Sequence, residues 1–163
     1  MDNLKKQILS VLQEDARLSP DSVAAMVGAD TAAVKKAVTE METDGTIIKY
    51  AALVNGDRYD DDGVEALIEV KVTPKQLYGY DAIAEEIYQY PQVRSVYLMS
   101  GSYDLLVIIS GPNLKNVAMF VAENLSALEA VQSTSTRFIL KKYKVEGVTL
   151  AKEEDTDRLA VQP

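Results

Sequence analysis

Ser19-Pro20-Asp21-Ser22-Val23-Ala24-Ala25-Met26-Val27-Gly28-Ala29-Asp30-Thr31 holds two helix starts and one helix stop in a single short run. Ser19 offers an N-cap, and Pro20 suits the first helical turn because its missing N–H has no partner there anyway. Gly28 supplies the left-handed residue that ends a helix, and Asp30 caps the next one. The spacing predicts a helix over 20–27 that buries Val23, Met26 and Val27. A turn, Gly28-Ala29-Asp30, follows, and a new helix begins at Thr31.

Upstream, Leu4, Ile8, Val11 and Leu12 recur at helical spacing and predict a helix over 3–14. Downstream, Val34, Val38 and Met41 form one stripe of a helix over 31–43, which Asp44-Gly45 ends. Thr46 to Val54 is β-branched and apolar, and reads as a strand. A helix, two helices joined by a tight Gly turn, and a strand together make the pattern of a winged helix-turn-helix. A generic three-helix bundle using Gly28 only as punctuation is the alternative. The short helices and the tight turn favour the former.

Asn55 to Gly63 is polar, acidic and contains glycine at Gly56 and Gly63, so it reads as a hinge. Asp60-Asp61-Asp62 lacks the spacing of a metal loop and reads as a solvated run, so no metal site is expected. Beyond it the period changes to two. Val64, Ala66, Ile68, Val70 and Val72 share one face of a strand, with Glu65, Glu69 and Lys71 on the other. Tyr80, Ile83, Ala84 and Ile87 are helical, Val93 to Met99 and Leu105 to Ile109 are strands, and Leu114 to Leu125 is helical. Val131 to Tyr143 reads as one long strand. The order βαββαβ is that of a ferredoxin-like domain. The fold expected is α+β: a winged helix-turn-helix over 1–54, a hinge over 55–63, a ferredoxin-like domain over 64–147 and a charged tail over 148–163.

Leu105-Leu106-Val107-Ile108-Ile109 does not alternate, although helices cover only one face of such a sheet. A second subunit is the expected cover for the other face. Shielding by the first domain or by the tail is the alternative.

The chain has 163 residues, a formal charge of −8, and no Cys, His or Trp. That composition excludes disulfides, thiol chemistry, Cys/His zinc sites and every catalytic triad that needs a His base. No apolar run reaches the roughly 18–20 residues that span a bilayer, and no signal-peptide block follows the start. A cytoplasmic protein without membrane partners is expected. Net acidity disfavours indiscriminate nucleic-acid binding. The first 50 residues are nearer balance, with six cations against eight carboxylates.

Three segments carry a specific resemblance. They are Asp44-Gly45-Thr46-Ile47-Ile48-Lys49-Tyr50, Leu98-Met99-Ser100-Gly101-Ser102-Tyr103-Asp104-Leu105-Leu106, and Val131-Gln132-Ser133-Thr134-Ser135-Thr136. In this order they resemble the Lrp/AsnC family of bacterial and archaeal transcription regulators, over the chain up to about Tyr143. The resemblance implies binding to double-stranded DNA by a homodimer joined through the ligand-domain sheets, often stacked to tetramers or octamers. It implies a small effector, usually an amino acid, lined here by Gly101, Tyr103, Asp104, Thr134 and Thr136. Asp104 can take an ammonium by a charge-assisted hydrogen bond, and N–H groups at a Gly turn can take a carboxylate. The plainer reading is that Gly101 permits a turn and Asp104 accepts backbone hydrogen bonds.

The third helix departs from the family, which commonly carries several Arg there. Thr31 to Asp44 holds two Lys, three carboxylates and no Arg, so the donors available to DNA are Thr31, Lys35, Lys36 and Thr39. Weak DNA binding, avidity from an assembled oligomer, or a ligand-binding scaffold that has lost DNA binding all follow as possibilities. Siroheme decarboxylases are similar in architecture, but they rely on His and Arg around a tetrapyrrole, and this chain has no His. No enzyme activity and no cofactor are expected.

Overall fold

A computed structural model of the chain describes residues 2–58, 63–73 and 79–150. The chain divides into two compact units, residues 1–54 and 55–163.

The first unit holds α1 (Asn3–Glu14), α2 (Pro20–Val27) and α3 (Thr31–Thr43). Each start is capped by a side chain. Asp2 accepts from Leu4 N, Ser19 from Ser22 N, and Asp30 from both Ala32 N and Ala33 N. Gly28 closes α2 at φ 67°, ψ 38°, a left-handed conformation that costs glycine nothing. Ile8, Val23, Ala24, Val34, Ala37 and Met41 form the core. Met26, expected inside, is 63% exposed. Ala24 takes an inward position of α2, and a residue two places on is rotated about 200° away.

The expected strand over 46–54 is absent: Thr46 to Val54 pairs with no described strand. Its β-branched residues suit an extended chain, but a strand gains its stability from cross-strand neighbours. Ile48 is left 88% exposed. Of the expected hinge, Gly56–Arg58 is a 3-10 turn and residues 59–62 lie outside the described residues.

The second unit contains β1 (Val64–Val72), α4 (Gly79–Tyr88), β2 (Val93–Leu98), β3 (Leu105–Gly111), α5 (Leu114–Phe120) and β4 (Val131–Phe138). A π-helical turn, Val121–Leu125, extends α5. The sheet is antiparallel in the order β2-β3-β1-β4, the ferredoxin-like arrangement. Ala66, Ile68, Val70 and Val72 of β1 and Leu105, Val107 and Ile109 of β3 face Ile83 and Ile87 of α4 and Val117, Phe120 and Leu125 of the second helix. Tyr90 closes that core edge-on against Phe120, with ring centroids 5.3 Å apart.

The strand expected to run to Tyr143 ends at Phe138. Phe138 pairs with Ala66, and Ile139 N still donates to Glu65 O, but β1 begins at Val64 and offers no ladder beyond. The chain then forms a small hairpin, β5 (Lys144–Val145) and β6 (Val148–Thr149), which straddles the expected start of the tail at residue 148. Glu146 and Gly147 both have positive φ, as a two-residue type I′ turn requires. Residues 151–163 lie outside the described residues.

Candidate nucleic-acid interface and effector site

At about 100° per residue, the core side of α3 is set by Val34, Ala37, Val38 and Met41. The opposite side carries Ala32, Lys35, Lys36, Thr39 and Thr43, all exposed. Lys36 is the freest of the ion-paired groups here, with its side chain 80% exposed. Thr31 lies off this face. Its hydroxyl donates to Asp21 Oδ1 at 2.9 Å and so staples α3 to α2. Thr43 donates to Thr39 O.

The sequence counts α3 as acidic, and the structure alters that reading. Glu40 projects sideways and meets Lys5 of α1, Nζ to Oε2 at 2.8 Å, with Lys36 farther off at 4.0 Å. The hydrogen bond and charge of Lys5 hold the Glu40 carboxyl below its usual range, and the same bond raises Lys5. Glu42 accepts the Tyr50 hydroxyl at 2.9 Å. Burial, and then that bond, push the Tyr50 phenol up. Asp44 accepts from Thr46 N at 2.9 Å, and hydrogen bonds from Thr46 hold its carboxyl low. All three carboxylates are therefore engaged within the unit. The outward face presents two cations and the Thr39 hydroxyl as donors that phosphates and base edges take, the Thr43 hydroxyl being spent on Thr39 O.

The effector candidates fall in two places. Gly101, Tyr103 and Asp104 share the loop between β2 and β3. Gly101 has φ 145°, and a Cβ there would meet nothing within 4 Å. Backbone conformation, not crowding, demands glycine. Asp104 ties this loop down. Its N–H donates to Val70 O at 3.1 Å, and its carbonyl accepts from Met99 N at 2.8 Å. Its Oδ2 accepts from Val72 N at 2.9 Å and its Oδ1 from the Tyr80 hydroxyl at 3.4 Å. A carboxylate has about four lone-pair sites, so capacity for a further donor remains.

Thr134 and Thr136 pair with Val70 and Ile68, which places both on the helix-covered face of edge strand β4. Thr134 Oγ1 is 3.1 Å from Ser126 Oγ. Asp104 and Thr134 thus address Val70 from opposite sides of β1, two strand spacings of about 4.8 Å apart. Tyr103 is within electrostatic reach of Arg137, whose guanidinium is held charged chiefly by the Glu69 carboxylate. That pair is a two-pronged fork at 3.0 and 3.1 Å on the other face of the sheet. Sequence spacing does not reveal Lys5, Tyr80 or Ser126 as partners, because each contact joins separate elements.

These bonds make a prediction. Asp104→Ala leaves Val72 N without its acceptor and is expected to destabilise the chain by about 1–3 kcal/mol. Asp104→Asn keeps an acceptor oxygen and is expected to cost about 1 kcal/mol or less. Urea denaturation checks both, and Asn is the cleaner probe of any ligand role.

The face of the sheet away from the helices carries Leu67, Leu106, Ile108 and Tyr97 in adjacent register. Leu106 and Ile108 are half-buried, and Tyr97 is 51% exposed. Ion pairs Glu69–Arg137 and Glu65–Lys142 flank this apolar centre. A cavity of about 370 Å³ in the first unit is lined by Leu12, Val23, Val34, Val38, Lys35 and Thr39, among others. Another, of about 460 Å³, lies beside Glu65, Ser110, Gly111 and Lys142. Neither is lined by the five effector candidates. Among the described residues no helix is long and apolar enough to cross a membrane, and no cluster of metal-ligating side chains occurs.

Comparison with known proteins agrees with both units. Residues 1–48 match the family profile of a winged helix-turn-helix DNA-binding domain, and residues 65–149 that of the Lrp/AsnC ligand binding domain. The chain is 44% identical to the HTH-type transcriptional regulator YugG of Bacillus subtilis, over 96% of this chain and 95% of that one. It is similar in structure to the transcriptional regulator NMB0573 of Neisseria meningitidis, solved as a complex with L-Met. That match has a TM-score of 0.71 and 25% identity, over 89% and 93% of the two chains. An AsnC family regulator from Agrobacterium tumefaciens matches with a TM-score of 0.70 and 26% identity, over 89% and 94%. With a helix-turn-helix whose outward face is cationic and a ferredoxin-like sheet matched by the ligand-binding profile, the chain belongs to the Lrp/AsnC family of transcriptional regulators.

Proposed function

We propose that this chain binds double-stranded DNA as a homodimer or higher assembly and changes its binding in response to a free amino acid. The observation that carries the DNA reading is the outward face of α3. Lys35, Lys36, Thr39 and Thr43 point away from the core while Glu40, Glu42 and Asp44 are held by Lys5, Tyr50 and Thr46. A second copy covers Leu67, Leu106 and Ile108, and each dimer presents two α3 helices to two half-sites. The effector reading is supported by the relative solved with L-Met and by the Gly101–Asp104 loop. Asp104 takes the ammonium with its spare lone pairs, backbone N–H groups of the loop take the carboxylate, and Thr134 and Thr136 contribute hydroxyls. The protein acts in the cytoplasm as a regulator and catalyses no reaction.

Two measurements test this. Fluorescence anisotropy with a duplex from the gene's own upstream region is expected to show saturable, salt-sensitive binding. A thermal-shift screen of the amino acids is expected to single out one or a few. Ligand at a hundredfold excess over Kd stabilises by about 2.7 kcal/mol, a melting shift of order 10 °C for a unit of this size. No binding to any duplex at low salt overturns the DNA reading, and no shift with any amino acid overturns the effector reading.

A further inference from the structure

Lys5 is remote from α3 in sequence, and its ammonium is nevertheless the nearest cation to Glu40, at 2.8 Å against 4.0 Å for Lys36. Lys36 and Glu40 are four residues apart on one helix, the spacing at which opposite charges pair. Left to itself, Glu40 would draw Lys36 into a local ion pair. Lys36 is one of the two cations of α3, and a cation held by a neighbouring carboxylate neutralises less phosphate charge. The Lys5 side chain is 23% exposed and that of Glu40 46%, so the bond sits at the α1–α3 seam and not on the outward face.

We propose that Lys5 is a positioning residue for DNA binding: by taking Glu40 at 2.8 Å it leaves Lys36 only a loose contact at 4.0 Å, and so available to the phosphate backbone. The inference rests on the DNA-binding reading above and adds a residue outside the recognition helix to it. Three consequences separate this from a merely structural role. With Lys5 removed, Glu40 turns to Lys36, and each subunit loses much of one phosphate contact. With Glu40 also neutralised, Lys36 is released again although the α1–α3 ion pair is still missing. With Glu40 alone neutralised, nothing holds Lys36 and binding is undiminished.

The test uses the full-length chain and anisotropy on one duplex from the upstream region and one unrelated duplex, over a range of salt. Lys5→Ala is expected to weaken binding to both about threefold to tenfold at low salt. It is also expected to flatten the slope of log affinity against log salt by up to about 0.9 per subunit. Lys5→Ala/Glu40→Gln is expected to regain wild-type affinity and slope, and Glu40→Gln to bind at least as tightly as wild type. Melting curves of all four proteins accompany the binding data. The double variant lacks the ion pair as fully as Lys5→Ala does, so recovery of binding without recovery of melting temperature supports the proposal. A double variant as weak as Lys5→Ala overturns it, assigning Lys5 to direct phosphate contact or to stability alone. Wild-type affinity in Lys5→Ala overturns it as well. A wild type that binds no duplex overturns both this inference and the reading beneath it.

Discussion

Ile108→Asp is expected to split the proposed dimer into single chains of 17.9 kDa, each still folded. Ile108 sits at the centre of the sheet face away from the helices, paired with Leu67 on one side and Ser95 on the other. Its neighbours in sequence, Val107 and Ile109, point into the core and are fully buried without any partner. The substitution therefore leaves the core intact and acts on the open face. A closed dimer places each such residue twice in an apolar interface, where an unpaired carboxylate is strongly disfavoured. A penalty of about 4 kcal/mol already weakens association about a thousandfold. Light scattering at micromolar concentration reads the mass, and circular dichroism the fold. DNA affinity is expected to collapse with the dimer, since two linked half-site contacts become separate weak ones. An Ile108→Asp protein that remains a dimer would place the interface elsewhere.

Replacing Lys35 and Lys36 together by Ala is expected to flatten the salt dependence of DNA binding by up to about 3 to 4 for a dimer. Each phosphate contact contributes about 0.9 to that slope, and a dimer presents both residues twice. Affinity at low salt is expected to fall at least about a hundredfold, similarly for all sequences, because a lysine that meets phosphate carries no base information. An unchanged slope in the double variant means that DNA is read by another surface. Glu40→Arg adds a cation to α3 and by charge alone would tighten binding, but the structure changes that expectation. An Arg at that position would face the Lys5 ammonium across the α1–α3 seam, so the gained charge comes with a lost ion pair and a like-charge contact.

Much of the candidate site was legible as residues and little of it as geometry. The five effector candidates are all near β1, but Gly101, Tyr103 and Asp104 lie in the loop before β3, whereas Thr134 and Thr136 lie on the opposite edge strand. Asp104 was readable as a carboxylate after a glycine turn. That its oxygens already serve Val72 N and the Tyr80 hydroxyl was not readable, because those partners belong to β1 and α4. The acidity of α3 shows the same limit more sharply. Charge counts carry no direction, and only the packing of α1 on α3 puts Lys5 against Glu40.

The sequence by itself determined the helices of the first unit, their caps and the turn at Gly28, because every bond that forms them lies within five residues along the chain. It determined the inward face of β1 as well, since alternation at a period of two is a local pattern. Tertiary structure alone decided where strands begin and end. Thr46 to Val54 has strand residues but no described neighbour to pair with, and β4 stops at Phe138 because β1, its partner, starts at Val64. A helix carries its hydrogen-bond partners with it, whereas a strand, an ion pair across a seam and a loop anchored to a sheet each depend on residues that only the folded chain brings near.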